Sequence, residues 1–244
     1  MRRVVGSLLF LFSCAVSSTE LHMLTDHHPP LHFQQNGEMQ GFGVDLVREL
    51  AKASGDSARI EREPLLRALA DSVSAPDTGL FIIMRTAERE ASYQWVGPVM
   101  VSESAFYGLG DPASPLPKLS DVRVARRIAL PRKWLAYGVL QEQGFTNLYG
   151  VDTPEQMMRL LRVGRADLIV ADTLTVATLA REAGIEPSQL QFQRSLMTQG
   201  AYIAFSRNTD PQVVARWQAA LDTLRQDGRL QQMLQRWQLD KPLR

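Results

Sequence analysis

Stretches of helical spacing alternate along this chain with short, continuous apolar runs. Leu46, Val47 and Leu50 share one face of a repeat whose other positions include Arg48, Glu49 and Lys52, which predicts a helix ending at Gly55. Residues 21–25 read as a short strand, stopped by Pro29 and Pro30 because proline cannot continue a ladder. Residues 34–40 form a polar turn around Gly37, and residues 65–73 predict a second short helix. Residues 79–84 are an unbroken apolar run, as expected of a strand buried on both faces. Strand, helix, helix, strand in this order predicts an α/β unit built on a parallel sheet.

A strand-like segment over 96–108 then meets Asp111-Pro112-Ala113-Ser114-Pro115-Leu116-Pro117, the best boundary candidate in the chain. Beyond it a second α/β unit is predicted: a strand over 124–130, helices over 134–143 and 154–163, a buried strand over 167–171, and a helix over 174–183 ending at Gly184. Residues 201–205 are again strand-like. Two helices close the chain, one with Val213, Trp217, Leu221 and Leu224 on a single face and a stop at Gly228, the other with Leu230, Met233, Leu234 and Trp237. The expected organisation is a leader over 1–17, a first lobe from 18–105 and 200–244, and a second lobe from 106–199. Extended segments near 104–110 and 196–203 join the lobes.

The N-terminus narrows the compartment. Arg2 and Arg3 precede a short apolar run from Val4 to Phe12, and Ala15-Val16-Ser17 fits a small-x-small cleavage site, so an exported protein with a cleaved signal peptide is expected. The apolar run is too short to span a bilayer. Cys14, the only cysteine, lies inside this leader, leaving no disulfide and no thiol nucleophile in the mature chain. Leu11-Phe12-Ser13-Cys14 also resembles a lipoprotein cleavage box, with Phe12 where that box carries a small residue; cleavage before Ser18 is the preferred reading. Composition adds only exclusions. With 22% charged residues and a formal charge of +1 the chain shows no basic footprint for nucleic acid.

The most specific signal is a set of short motifs in a fixed order. Pro29-Pro30, Gly41-Phe42-Gly43-Val44-Asp45-Leu46, Arg85-Thr86-Ala87-Glu88-Arg89-Glu90, Trp95-Val96-Gly97-Pro98, Gly164-Arg165-Ala166-Asp167 and Gly228-Arg229-Leu230 ahead of Trp237 follow one another along nearly the whole chain. Together they resemble the family 3 extracellular solute-binding proteins, the type II periplasmic binding proteins associated with polar amino-acid ABC transporters. The resemblance implies an α/β, two-lobed fold with a hinge between the lobes. It also implies that Arg89, ending Thr86-Ala87-Glu88-Arg89, holds a ligand α-carboxylate, for which a guanidinium fork is well shaped. Asp172, at the end of a buried strand, would supply a carboxylate to the ligand's ammonium, and would equally serve as a cap for the following helix. Thr86 belongs to the same motif as Arg89. His28 stands near the first proline turn, where the family places an aromatic against the ligand. Asp45 and Asp167 read as structural acids.

The chain also departs from the family's pattern. Ile83, Met84 and Arg85 precede Thr86 where small hydroxyl residues or glycine are usual, and Pro131-Arg132-Lys133-Trp134 replaces a Gly-Thr or Gly-Ser step. Arg67 and Arg85 are therefore expected to add positive charge to the cleft. His27, His28 and His32 invite a metal, but their spacing lacks the geometry of a zinc site, and no metal or cofactor is expected. The expected function is capture of a small polar amino-acid-like or carboxylate ligand by a monomer that hands it to the permease of an ABC importer. Two other readings stay open: a periplasmic sensor signalling to a membrane receptor, and a dehydratase of small cyclic acids on the same fold. The absence of a nucleophile elbow, phosphate loop or metal motif speaks against an enzyme, and no catalytic residue is assigned.

Overall fold

The computed structural model describes residues 18–110, 122–125 and 127–243; the leader with Cys14 and the Pro112–Pro117 boundary lie outside the described residues. Among the described residues, ten strands and eight α-helices are arranged on one eight-stranded sheet and a small hairpin. In chain order the first half contains β1 (Glu20–Thr25), β2 (Phe33–Gln35), β3 (Glu38–Gln40), α1 (Phe42–Ser54), β4 (Ser57–Arg62), α2 (Leu65–Ser72), β5 (Thr78–Met84), α3 (Ala87–Glu90) and β6 (Tyr93–Leu109). The second half contains β7 (Ile128–Pro131), α4 (Leu135–Glu142), β8 (Leu148–Val151), α5 (Pro154–Arg162), β9 (Leu168–Asp172), α6 (Val176–Glu182), β10 (Leu190–Ser206), α7 (Pro211–Gln226) and α8 (Arg229–Arg236).

The large sheet runs β4-β1-β5-β10-β6-β9-β7-β8. Its two centre strands, β6 and β10, are 17 residues long each and pair antiparallel from Leu190 against Leu109 to Ser206 against Tyr93. Their length lets them serve two cores. At one end α1 packs on β4 and β5, α7 on α1 and β6, and α8 on α1 and α7, around Leu21, Phe42, Leu50, Phe205 and Trp217, all fully buried. At the other end α5 packs on β7 and β9, and α6 on α5, around Phe106, Ile128, Met157, Ile169 and Leu179. These are the two lobes, and the segments expected to join them lie within the β6–β10 ladder.

Three expectations need correction. The sheet is mixed: β1 is parallel to β4 and β5, but β10 runs antiparallel to β5 and β6 antiparallel to β9. The order strand, helix, helix, strand also omitted β4, an edge strand whose Arg59, Glu61 and Arg62 break any apolar run. An edge strand buries little, so hydrophobic patterning does not reveal it. The predicted strand over 124–130 begins only at Ile128, after a 3-10 turn over Val122–Val124.

The glycines of the Gly41-Phe42-Gly43 motif have a steric reason. Gly41 has φ of 122°, and a Cβ there would meet the Leu31 carbonyl oxygen at 2.5 Å. A Cβ on Gly43 would meet Ile82 Cγ1 at 2.6 Å. The start of α1 is thus pressed between the proline turn and β5, two segments that also line the cleft between the lobes. Among the described residues no helix is long and apolar enough to cross a membrane.

Candidate functional site

A cavity of about 100 Å³ lies between the lobes, where β1, β5, the centre strands and the start of α4 meet. Its first-lobe wall depends on a break in β5. The pairing of β5 with β10 shifts between Tyr202–Ile83 and Ile203–Phe81, which leaves Ile82 as an extra residue with φ of 56°. A β-branched residue in this left-handed region is strained, and such bulges bend a strand and re-aim its remaining residues. Here the re-aimed segment is Met84 and, beyond it, α3. Thr86 caps α3, its Oγ1 accepting from the Arg89 backbone N–H at 3.3 Å. The Arg89 side chain turns back and donates from Nη1 to the Met84 carbonyl at 3.1 Å. Among the described residues no carboxylate pairs with it. Burial pushes the Arg89 guanidinium below its ordinary value, with Glu88 and Tyr93 opposing.

Asp172, the last residue of β9, lines the same cavity. Its position is set by the pairing of β9 with β6, which places Asp172 against Ser104 and brings Ser102 within reach. Asp172 Oδ2 accepts from Ser102 Oγ, and Oδ1 accepts from the Leu174 backbone N–H at 2.9 Å. Burial raises the Asp172 carboxyl above its ordinary value, against the lowering effect of these donors. Asp172 thus lines the cavity while holding the turn that leads into α6, whose N-cap is Thr175.

The third expected residue in this cavity is His28, and it crosses the cleft. Its ring stacks on Trp134 of the second lobe with centroids 5.4 Å apart and planes at 8°, and its Nε2 lies 3.3 Å from Thr175 Oγ1. Enclosure pushes the imidazole down to about 4, with His32 adding to the effect and Asp26 and Glu155 opposing it. His32 is itself held by Asp26, with Nε2 and Oδ1 2.8 Å apart. Burial alone would raise the Asp26 carboxyl, yet the hydrogen bond and charge of His32 prevail and it is lowered. The three histidines thus face three different partners, since His27 points to Glu155 at 3.8 Å.

The remaining expected site residues lie elsewhere. Arg85 forms a two-pronged pair with Glu90, at 2.7 and 2.5 Å, and spreads over Trp95 and Tyr202 with ring centroids at 5.6 and 5.5 Å. Arg67 is exposed on α2. Neither lines the cavity, so the expected extra charge is absent from its wall. Thr86 acts through the α3 cap and does not line the cavity either. Lys133 does line it, beside Trp134.

Residues outside the recognised motifs also line the cavity. Ser102, Ser104 and Gln199 come from β6 and β10, and Thr25 and Asp26 from the end of β1. Thr25 Oγ1, His32 Nδ1 and Gln199 Oε1, in residues that line the cavity, are buried without a protein hydrogen-bond partner among the described residues. The alternation of Ser102 and Ser104 inside a strand was a usable signal, because residues two apart face the same side. Asp45 and Asp167 are structural: Asp45 accepts from Trp237 Nε1 at 2.9 Å, joining α1 to the C-terminal end of α8, and Asp167 accepts from the Arg127 backbone N–H at 2.9 Å.

Comparison with known proteins agrees with this architecture. A sensor domain of a histidine kinase with similarity to periplasmic binding proteins superposes with a TM-score of 0.77 at 23% identity, covering 89% of this chain and 95% of that one. A periplasmic His/Glu/Gln/Arg/opine family-binding protein from Silicibacter pomeroyi, in complex with lysine, gives 0.76 at 21% identity over 91% and 98% of the two chains. The GluR0 ligand-binding core from Nostoc punctiforme, in complex with L-glutamate, gives 0.74 at 21% identity over 89% and 98%. At these identities the likeness shows the fold alone. A search of curated proteins finds no match. The family model for bacterial extracellular solute-binding proteins, family 3, matches residues 21–240, and the chain belongs to that family.

Proposed function

We propose that this protein is a periplasmic binding protein that captures a small carboxylate-bearing, amino-acid-like ligand by closing its lobes and delivers it to an ABC importer. The lobes are 18–105 with 200–244, and 106–199. The observation that carries the reading is Arg89: a half-buried guanidinium in the interlobe cavity, oriented by the Met84 carbonyl and balanced by no protein carboxylate among the described residues. Burial of such a cation is costly unless an anion completes it, and a ligand carboxylate does so. Asp172 faces the same cavity from the second lobe, so a bound ligand would touch both lobes and favour the closed state by its differential affinity. The β6–β10 ladder is the connection that must flex. The leader supports export, and the neighbours among transporter components support the importer as partner.

A sensory role is the second reading, favoured by the likeness to a kinase sensor domain. It uses the same cavity and closure and differs only in the membrane partner.

The test is a thermal-shift screen of the leaderless protein with amino acids, opines and small organic acids. A ligand of the folded cleft raises Tm by mass action. We expect at least one carboxylate to do so, and Arg89→Ala to abolish the shift. If no carboxylate raises Tm in an Arg89-dependent way, the proposal fails.

A further inference from the structure

The cavity wall is chemically lopsided. Leu31, Leu80, Phe81, Ile83 and Met100 line it and are each at most 7% exposed, and Ala136 adds to them from α4. The acids on its rim already have partners. Asp26 is paired with His32, and each oxygen of Asp172 accepts from a protein donor, Ser102 Oγ or the Leu174 N–H. Of the two cations, Arg89 is half-buried and Lys133 exposed. The wall therefore offers one interior anchor for an anion and a large apolar surface.

The ring pair that lines the cavity adds a shape criterion. His28 from the first lobe and Trp134 from the second lie nearly parallel, at 8° and 5.4 Å between centroids. A ligand large enough to fill the cleft must compete with His28 for the indole face. An aliphatic zwitterion would break this contact between the lobes and put nothing equivalent in its place. A flat ring would replace one stacked pair with another and keep the two lobes in contact through itself.

From this wall and this stack we infer that the ligand is a monocarboxylate with a flat, apolar body, an arylalkanoate-type acid, whose carboxylate sits on Arg89 and whose ring stacks on Trp134. This rests on the carboxylate-binding reading above and narrows it.

The test uses titration calorimetry on the leaderless protein with phenylacetate and indole-3-acetate, against L-glutamine, L-arginine and acetate. The aryl acids are expected to bind more tightly than the other three by about tenfold or more, the scale of a buried aromatic contact. They should also quench tryptophan fluorescence. Trp134→Phe keeps a flat face, so binding should persist while most of the quenching disappears; Trp134→Ala should lose the preference for aryl acids. The Phe variant guards against misfolding of the Ala variant. Arg89-dependent binding of L-glutamine or L-arginine as tight as that of the aryl acids overturns the ligand class and leaves the carboxylate-binding reading standing. Aryl acids that bind equally well to wild type and Trp134→Ala overturn the stacking assignment. Failure of every probe to bind in an Arg89-dependent way overturns both readings.

Discussion

Arg89 Nη1 donates to the carbonyl oxygen of Met84 at 3.1 Å, so the guanidinium is held by the end of the strand that precedes it. One nitrogen fixes the plane while the rest of the fork remains for a ligand. A lysine at this position keeps the charge but cannot hold the carbonyl and meet both oxygens of a carboxylate at once. Arg89→Lys is therefore expected to weaken a bound carboxylate by about tenfold and Arg89→Ala by about a hundredfold or more, the scale for removing one partner of a desolvated charge pair. Calorimetric titration of both variants with the best carboxylate from the thermal-shift screen checks the order wild type, Lys, Ala.

Thr86 acts on Arg89 without touching the cavity. Its hydroxyl accepts the Arg89 backbone N–H at 3.3 Å and closes the first turn of a helix only four residues long. So short a helix has little else to hold it. Thr86→Ala should cost about 1 kcal/mol of local stability and weaken carboxylate binding several-fold, whereas Thr86→Ser should behave as wild type. Equal effects of the two substitutions would mean that the methyl group and not the cap matters.

His28 gives stability a pH dependence of definite sign. Its ordinary value of 6.5 applies to the unfolded chain, while in the fold it lies at about 4. Between these values the unfolded state binds a proton that the folded state refuses, so stability falls as pH drops from 6.5 towards 4. The loss is at most about 3.5 kcal/mol, since one pKa unit corresponds to about 1.4 kcal/mol. His27, also lowered by burial, acts in the same direction. Asp26 is lowered below 3.8, so its contribution is lost only at more acid pH. Urea unfolding at pH 7 and pH 4.5 should show a smaller difference for His28→Gln than for wild type.

How much of this was legible in the sequence depends on the range of the interaction. α1 could be read from Leu46, Val47, Leu50 and Gly55, because helical spacing and a left-handed stop are local. Arg89 and Asp172 could be placed through a motif and a strand end. The apolar runs foretold β5 and β9 but not β4 or β8, which lie at the sheet edges with exposed or charged positions. The Ser102–Asp172 bond spans 70 positions and exists only because β6 pairs with β9. The stack of His28 on Trp134 needs two lobes to meet, which no local pattern encodes. Arg85 shows the converse: its motif placed it near the cleft, and the nearby Glu90 with two aromatic faces claimed it instead.

Asp56 supports the first lobe from a position that does not line the cleft. Its side chain is 0% exposed, and four donors converge on it: the Thr19 N–H at 3.1 Å and Arg216 Nη2 at 2.8 Å on Oδ1, Ser54 Oγ at 2.9 Å and Trp217 Nε1 at 3.0 Å on Oδ2. These tie the start of β1 and the end of α1 to α7. Alanine would leave the Arg216 charge and the buried Trp217 N–H without their acceptor, a loss of about 3 kcal/mol. For a chain of this size that corresponds to a fall in Tm of roughly 6–12 °C. Trp217→Phe removes one donor but also trims a fully buried ring, so it tests packing more than the hydrogen bond. Asp56→Asn is the sharper comparison. It keeps the shape and can accept on one side only, so its loss should fall between wild type and Ala. Because Asp56 does not line the cavity, carboxylate affinity measured well below Tm should be unchanged in both variants; a parallel loss of affinity would mean that closure and the α1–α7 contact are coupled.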